Sequence, residues 1–246
     1  MVAARGSTPK RRPAGTNSAS ASGGTSASAS RAAASRHART ARSTSCCSLT
    51  SPVYAATYTG AMSTHGATET LEIERKYAVS EEAALPAAAA FLAHALTLEA
   101  GGAFELRATY FDTPEAALGR QRVAVRLRHG GSDEGWHLKI KGADGSRELA
   151  WPLGDAMPEG LRREIVDRIG ETDTARLVAV ATLETTRRIA HLCDADGTRV
   201  IELADDRVAA TNCLSGESNV WREWEAELAP GASEQLLEVI EPLLTA

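Results

Sequence analysis

No aspartate or glutamate occurs in the first 68 residues of this 246-residue chain; the first carboxylate is Glu69. Large apolar side chains are equally scarce there, so the stretch cannot supply a core, and runs such as Thr16–Ser30 lack helical or strand periodicity. Residues 1–66 are expected to be a disordered, basic leader rich in Ala, Ser and Arg. It holds Arg5, Lys10, Arg11, Arg12, Arg31, Arg36, Arg39 and Arg42, which leaves 19 of the 27 basic residues to face all 32 acids in the remainder. A targeting leader, a phosphate-holding arm, and translated leader upstream of a true start at Met62 all fit this composition. No aromatic side chain interleaves the arginines to stack on bases, so no specific nucleic-acid partner is expected.

Long hydrophobic runs are missing as well. None approaches the roughly 20 residues of a membrane span, so no membrane partner is expected. The four cysteines lack Cys-x-x-Cys spacing: Cys46 and Cys47 are adjacent in the leader, and Cys193 and Cys213 stand alone in strand-like segments. A reducing, cytoplasmic setting fits that pattern.

From Glu69 onward the dominant period is two. Strands are expected at 69–79, 103–112, 121–129, 135–141, 146–153, 182–193, 198–203, 207–214 and 219–228, which makes a largely antiparallel β domain. Helices are expected at 81–98, closed by Gly101-Gly102, at 159–169, where Leu161, Ile165 and Ile169 recur at helical spacing, and at 234–244. Asp194-Ala-Asp-Gly197 predicts a hairpin turn.

Function is written in which face of each strand carries charge. Alternation places Glu72, Glu74 and Lys76 opposite Leu71, Ile73 and Tyr77, and Arg126 and Arg128 opposite Val125 and Leu127. In the same way His137, Lys139 and Lys141 oppose Trp136, Leu138 and Ile140, and Glu223, Glu225 and Glu227 oppose Trp224, Ala226 and Leu228. A single such strand describes an ordinary solvated face. Four of them, two mainly acidic and two basic, describe a ligand surface, and a sheet curled with its charges inward would enclose a small polyanion. Arg and Lys hold phosphate oxygens, while paired Glu-x-Glu units offer hard oxygen ligands for Mg²⁺ or Mn²⁺.

Glu72-Ile-Glu74-Arg-Lys76 resembles the ExExK signature of the CYTH domain, or triphosphate tunnel metalloenzyme, superfamily. The resemblance continues in order through Tyr110-Phe-Asp-Thr113, Val125-Arg-Leu-Arg128, Leu138-Lys-Ile-Lys-Gly142, Arg147-Glu148, Asp205-Asp-Arg-Val208 and Glu223-Trp-Glu-Ala-Glu-Leu228. It implies an α+β fold at residues 67–246: a closed eight-stranded antiparallel tunnel with a charged interior and helices packed outside. It further implies divalent-metal-dependent hydrolysis of inorganic triphosphate or a small organic triphosphate. Class IV adenylyl cyclisation, thiamine triphosphatase activity and a non-catalytic polyphosphate-binding module are the alternatives. Glu72, Glu74, Glu225 and Glu227 are implied as catalytic metal ligands, and Lys76, Arg126, Arg128, Lys139 and Lys141 as phosphate contacts. Arg187, preferred over Arg188, adds a further contact, and Asp206, preferred over Asp205, orients a basic neighbour. Glu148 either orients a neighbour or closes a strand end, and Asp112 presents the same choice. The Lys-x-Arg pair common on the family's sixth strand is replaced by Arg187-Arg188, and within these 246 residues no histidine-rich helical domain follows, as one does in some bacterial members.

Overall fold

The computed structural model describes residues 66–246, and the expected leader lies outside the described residues. Nine strands form one antiparallel sheet: β1 (Thr68–Glu72), β2 (Glu74–Val79), β3 (Thr97–Asp112), β4 (Val123–His129), β5 (Gly135–Lys141), β6 (Ser146–Pro152), β7 (Val178–Cys193), β8 (Arg199–Asn212) and β9 (Ser218–Leu228). Three helices accompany them: α1 (Ala88–Leu92), α2 (Glu159–Thr174) and α3 (Gln235–Leu244).

The strand order is β1-β6-β5-β4-β3-β7-β8-β9-β2, so the two edges are consecutive in the chain with Ile73 alone between them. Strands spaced about 4.8 Å apart would hold the edges of a flat nine-stranded sheet close to ~40 Å from each other, far beyond the reach of one residue. The sheet therefore curls until its edges meet. The expected closed, eight-stranded ladder is corrected here: the N-terminal strand splits, its first half pairing with β6 and its second with β9, and chain continuity rather than a hydrogen-bonded ladder joins the edges. The Ile73 carbonyl accepts a hydrogen bond from the Leu228 N–H at 2.9 Å, which ties the split point to the last strand.

Apolar residues face outward, under the helices. One core gathers Phe91 of α1 and Leu237, Ile240 and Leu244 of α3 against Leu203, Trp224, Ala226 and Leu228. The other packs Leu161 and Ile165 of α2 on Val123, Val125, Trp136, Leu138 and Leu149. Full burial of each such side chain contributes roughly 1.5–3 kcal/mol, so the helices hold the sheet from outside and leave its concave face to polar groups.

Three expectations change in detail. The helix expected at 81–98 shrinks to α1, because Pro86 biases Leu85 away from helical geometry and β3 already begins at Thr97. Gly101-Gly102, expected to close that helix, instead forms an irregularity inside β3, where the pairing with β7 shifts between Ala100 and Ala103. A Cβ on Gly101 would come within 2.7 Å of the Ile189 carbonyl oxygen, so the close strand approach there requires glycine. The two strands expected at 198–203 and 207–214 are one, β8. In α2, regular helix breaks at Gly170 (φ 79°, ψ 165°), directly after the expected end at Ile169. The turn at Asp194–Gly197 forms as expected, with Gly197 at φ 78°.

On the outer face Arg222 is buried, donating to both Asp205 carboxylate oxygens at 2.8 Å and to the carbonyls of Ser80, Glu81 and Ala83 at 2.8–3.0 Å. It pins the segment after β2 onto β8 and β9. Arg222→Ala strands a buried carboxylate and three carbonyls, and is expected to lower unfolding free energy by roughly 3–5 kcal/mol in urea titrations. A loss under about 1 kcal/mol would show that water replaces the pin.

Candidate functional site

Strand pairing settles which charges share the concave face. Glu223 of β9 lies opposite Asp206 of β8, which lies opposite Arg187 of β7. One step along, Glu225 pairs with Lys76, and beyond it Glu227 lies between Glu74 and Glu202. On the other side Arg126 pairs with His137, and Lys139 with Glu148. Alternation then puts Asp205 and Arg188 on the outer face, where Asp205 binds Arg222 and Arg188 is exposed.

The interior charges are interlocked. Arg187 makes a two-pronged contact with Asp206, Nε to Oδ1 at 2.8 Å and Nη2 to Oδ2 at 2.5 Å, and reaches Glu225 at 2.7 Å. Lys76 donates to Glu225 and lies 3.4 Å from Glu74. Lys139 bridges Glu72 and Glu74 at 2.6 Å each. Arg126 donates to Glu148 at 3.2 Å, and His137 Nδ1 lies 2.8 Å from the same carboxylate oxygen. Arg128 pairs with Asp133, a partner outside the expected set, while Lys141 is exposed at the end of β5. Asp112 stands apart as a strand-end cap, accepting from the N–H groups of Thr113, Leu118 and Gly119 at 2.7–2.9 Å.

Environment drives the carboxyls in opposite directions. Burial would raise Glu225, but Lys76 and Arg187 outweigh it and hold the group at about 2. Glu148 is likewise held low against burial, by His137, Arg126 and the Glu72 carboxyl beside it. Burial and neighbouring Glu148 push Glu72 up to about 8, and burial with Glu202 and Glu74 pushes Glu227 up to about 7. Among the basic groups burial is again the largest influence and is overcome: Glu225 and Glu74 raise Lys76, and Glu72 and Glu74 raise Lys139. The interior thus has more carboxylate than its own cations neutralise, the condition in which a bound divalent ion relieves repulsion.

Three carboxylates are placed to hold such an ion. Oxygens of Asp206, Glu223 and Glu225 lie within 4.8 Å of one another, the single such group among the described residues. Hard oxygen donors in this number suit Mg²⁺ or Mn²⁺, which complete octahedral shells with water and substrate phosphate. Of the four expected ligands, Glu225 belongs to this group, Glu72 and Glu74 converge on Lys139, and Glu227 faces Glu202. Glu223 and Glu202 complete the acidic face without being among the expected site residues. The signals were present: Glu223 is the first member of an alternating Glu triplet, and Glu202 stands four residues before Asp206 on one strand face.

Face assignment has a direct consequence. Arg75 points outward and pairs with Glu241 of α3, whereas Lys76, one residue on, enters the charged interior. Arg75→Gln is expected to leave the apparent KM for tripolyphosphate within about twofold, while Lys76→Gln raises it about tenfold or more through loss of a charge-assisted contact. Equal effects in steady-state kinetics would contradict the assignment.

A model of the CYTH domain matches residues 70–246. An uncharacterised protein of Mycobacterium tuberculosis, found in two strains, is 34% identical over 172 residues, 64% of this chain and 33% of the relative. The chain therefore spans about a third of the length of the curated relatives it matches. Among solved structures, a candidate adenylate cyclase from Bacillus halodurans is similar at 21% identity, with 72% of this chain and 92% of that one covered and a TM-score of 0.48. A candidate adenylyl cyclase from Hippeastrum with a dominant triphosphatase activity is similar at 18% identity, with 71% and 86% covered and a TM-score of 0.44. In the described residues no helix is long and apolar enough to cross a membrane.

Proposed function

The chain belongs to the CYTH domain family, and from that premise we propose that it hydrolyses a small triphosphate with the help of Mg²⁺ or Mn²⁺. The observation that supports this reading most is the adjacency of opposite charges on one concave face: the Asp206, Glu223 and Glu225 carboxylates beside Arg187 and Lys76. A polyphosphate needs fixed cations along its length, and an acidic cluster so close to them would repel it unless a divalent ion intervened.

In this reading Asp206, Glu223 and Glu225 hold the ion, with Glu227, the next inward residue of β9, and Glu74 and Glu72 beside it placed to orient its water or a second ion. When bound, the metal supplies charge neutralisation at the phosphate and a more acidic water. The protein's own groups do the rest. Arg187, held by Asp206 in two-pronged fashion, presents a fixed guanidinium, so little ordering remains when phosphate arrives. Lys76, Lys139 and Arg126 exchange part of their carboxylate contacts for phosphate oxygens, and Arg128 and Lys141 extend the basic track. Glu148, clamped by Arg126 and His137, keeps those two groups aimed into the interior. Phosphoryl transfer asks for this positioning and charge stabilisation and little covalent chemistry.

Product analysis tests the reading. Incubation with tripolyphosphate, thiamine triphosphate or ATP and either metal is expected to release orthophosphate. Cyclic AMP and pyrophosphate from ATP would replace hydrolysis with cyclisation, and tight binding of all three without turnover would leave a binding module.

A further inference from the structure

Arg128 differs from the other paired cations of the interior in where its counter-ion comes from. Lys76, Lys139, Arg126 and Arg187 each meet a carboxylate borne on a strand. Arg128 meets Asp133, which lies in the loop 130–134 joining β4 to β5. The Arg128 side chain is 11% exposed and that of Asp133 51%, so a sheltered guanidinium is covered by a carboxylate that keeps half its contact with water.

The loop is built to hold that contact. Gly130 opens it and Gly135 follows it, both at positions where no side chain fits: a Cβ on either would lie 2.3 Å from a carbonyl oxygen, that of Glu105 or of Trp151. Between them the Asp133 carbonyl lies 2.8 Å from His137 Nε2, and because a carbonyl can only accept, the imidazole donates there. The Gly130 N–H donates to the Glu134 carboxylate at 3.3 Å. His137 is buried on β5 with its other nitrogen toward Glu148, so the backbone of Asp133 is anchored to the charged interior while its side chain rests on Arg128. That anchoring removes much of the ordering cost that weakens ordinary surface ion pairs.

Asp133 also stands outside the three-carboxylate cluster. An ion at Asp206, Glu223 and Glu225 would share the carboxylates that hold Arg187 and Lys76, and so free those cations for phosphate. It offers no such exchange to Asp133. Only an incoming anion takes Arg128 from it.

We propose that Asp133 is a built-in competitor for phosphate at Arg128: its carboxylate neutralises the guanidinium in the ligand-free protein, is displaced by an oxygen of the triphosphate, and returns as product leaves. The inference rests on the triphosphate reading of the interior. It gives Asp133 the opposite sign from every other residue of the site, because its removal strengthens substrate binding. Its return also means that product departure does not leave a sheltered charge without a partner.

The test titrates full-length wild type, Asp133→Asn, Glu134→Gln, Arg128→Ala and the Arg128→Ala/Asp133→Asn double variant with diimidotriphosphate, whose bridging N–H groups resist hydrolysis. Calorimetry at fixed Mn²⁺ and salt reads binding, and initial rates on tripolyphosphate give KM and kcat. The amide keeps the shape of Asp133 and loses its charge, so Asp133→Asn should bind the analogue about threefold to fivefold tighter and lower KM by a similar factor, with kcat no higher. Glu134→Gln makes the same charge change one residue along and should stay within about 1.5-fold of wild type. In the Arg128→Ala background the Asp133→Asn gain should vanish, the mark of a direct pair. Unchanged or weaker binding in Asp133→Asn, an equal gain in Glu134→Gln, or a gain that persists without Arg128 would overturn the competitor while leaving hydrolysis standing. Tighter, Arg128-dependent binding in a protein that releases no phosphate would uphold the competitor and remove the hydrolase reading. A wild type that neither binds the analogue nor turns over tripolyphosphate would overturn both.

Discussion

Glu225→Gln should lower the rate of triphosphate hydrolysis by on the order of 10²-fold and shift the metal requirement upward, with excess Mn²⁺ restoring part of the rate. Glu225 is the one interior carboxylate that belongs to the three-carboxylate cluster and also pairs with both Lys76 and Arg187. Those two cations keep it ionised, at about 2, and so able to act as a ligand at any ordinary pH. The amide keeps the shape and removes the charge, so metal affinity and turnover should fall together in a titration of initial rate against Mn²⁺. A large rate loss at unchanged metal half-saturation would mean that Glu225 only orders its two basic partners.

Arg187→Ala should fail in the opposite way. Its guanidinium is committed to Asp206 and Glu225, two of the three cluster residues, and removing it leaves Asp206 without that partner and Glu225 with Lys76 alone. Metal affinity should hold or rise, while the apparent KM for tripolyphosphate climbs about tenfold to a hundredfold through loss of roughly 1.5–3 kcal/mol of charge-assisted hydrogen bonding. Added metal should not rescue it, and Arg187→Lys should recover only part, because an ammonium cannot reproduce the two-pronged fork. Steady-state kinetics at saturating Mn²⁺ decide the sign. A variant whose defect disappears with added metal would place Arg187 in the metal site and not on the phosphate.

These opposed expectations depend on faces that the sequence alone discloses unevenly. The charged side of each strand was legible because charge alternates with apolar residues at period two across Arg126–Arg128, Lys139–Lys141 and Glu223–Glu227, and across Glu72–Lys76 with only Arg75 breaking the pattern. Arg187 and Arg188 are adjacent and chemically alike, as are Asp205 and Asp206, so only register separates them: Asp206 lies opposite Glu223 on the charged face of β9, and Arg187 lies opposite Asp206. The acidic cluster was less legible. It joins residues from two strands brought together by register, and the local Glu-x-Glu pattern gave equal standing to Glu227, which the structure places beside Glu202.

The fold was readable to a similar depth. Alternation runs unbroken through Ile73, which points away from both flanking glutamates, so nothing in the local pattern marks the point where the first strand changes partners. Only the strand order shows that β1 and β2 are opposite edges of one curled sheet. Alanine-rich 81–98 satisfied helix propensity, but Pro86 and the long pairing of β3 with β7 overrode it, a case of tertiary structure outweighing a weak local preference.

The central claim, that the interior acids hold a divalent ion which joins the fixed cations on a triphosphate, is tested most directly by one titration. The full-length protein is stripped with EDTA and then titrated with Mn²⁺ while orthophosphate release from tripolyphosphate and from ATP is followed. The account predicts negligible release without metal, a saturable rise with it, and a curve displaced to higher Mn²⁺ in Glu225→Gln. Release that persists in EDTA, or a Glu225→Gln curve superimposable on wild type, would contradict it.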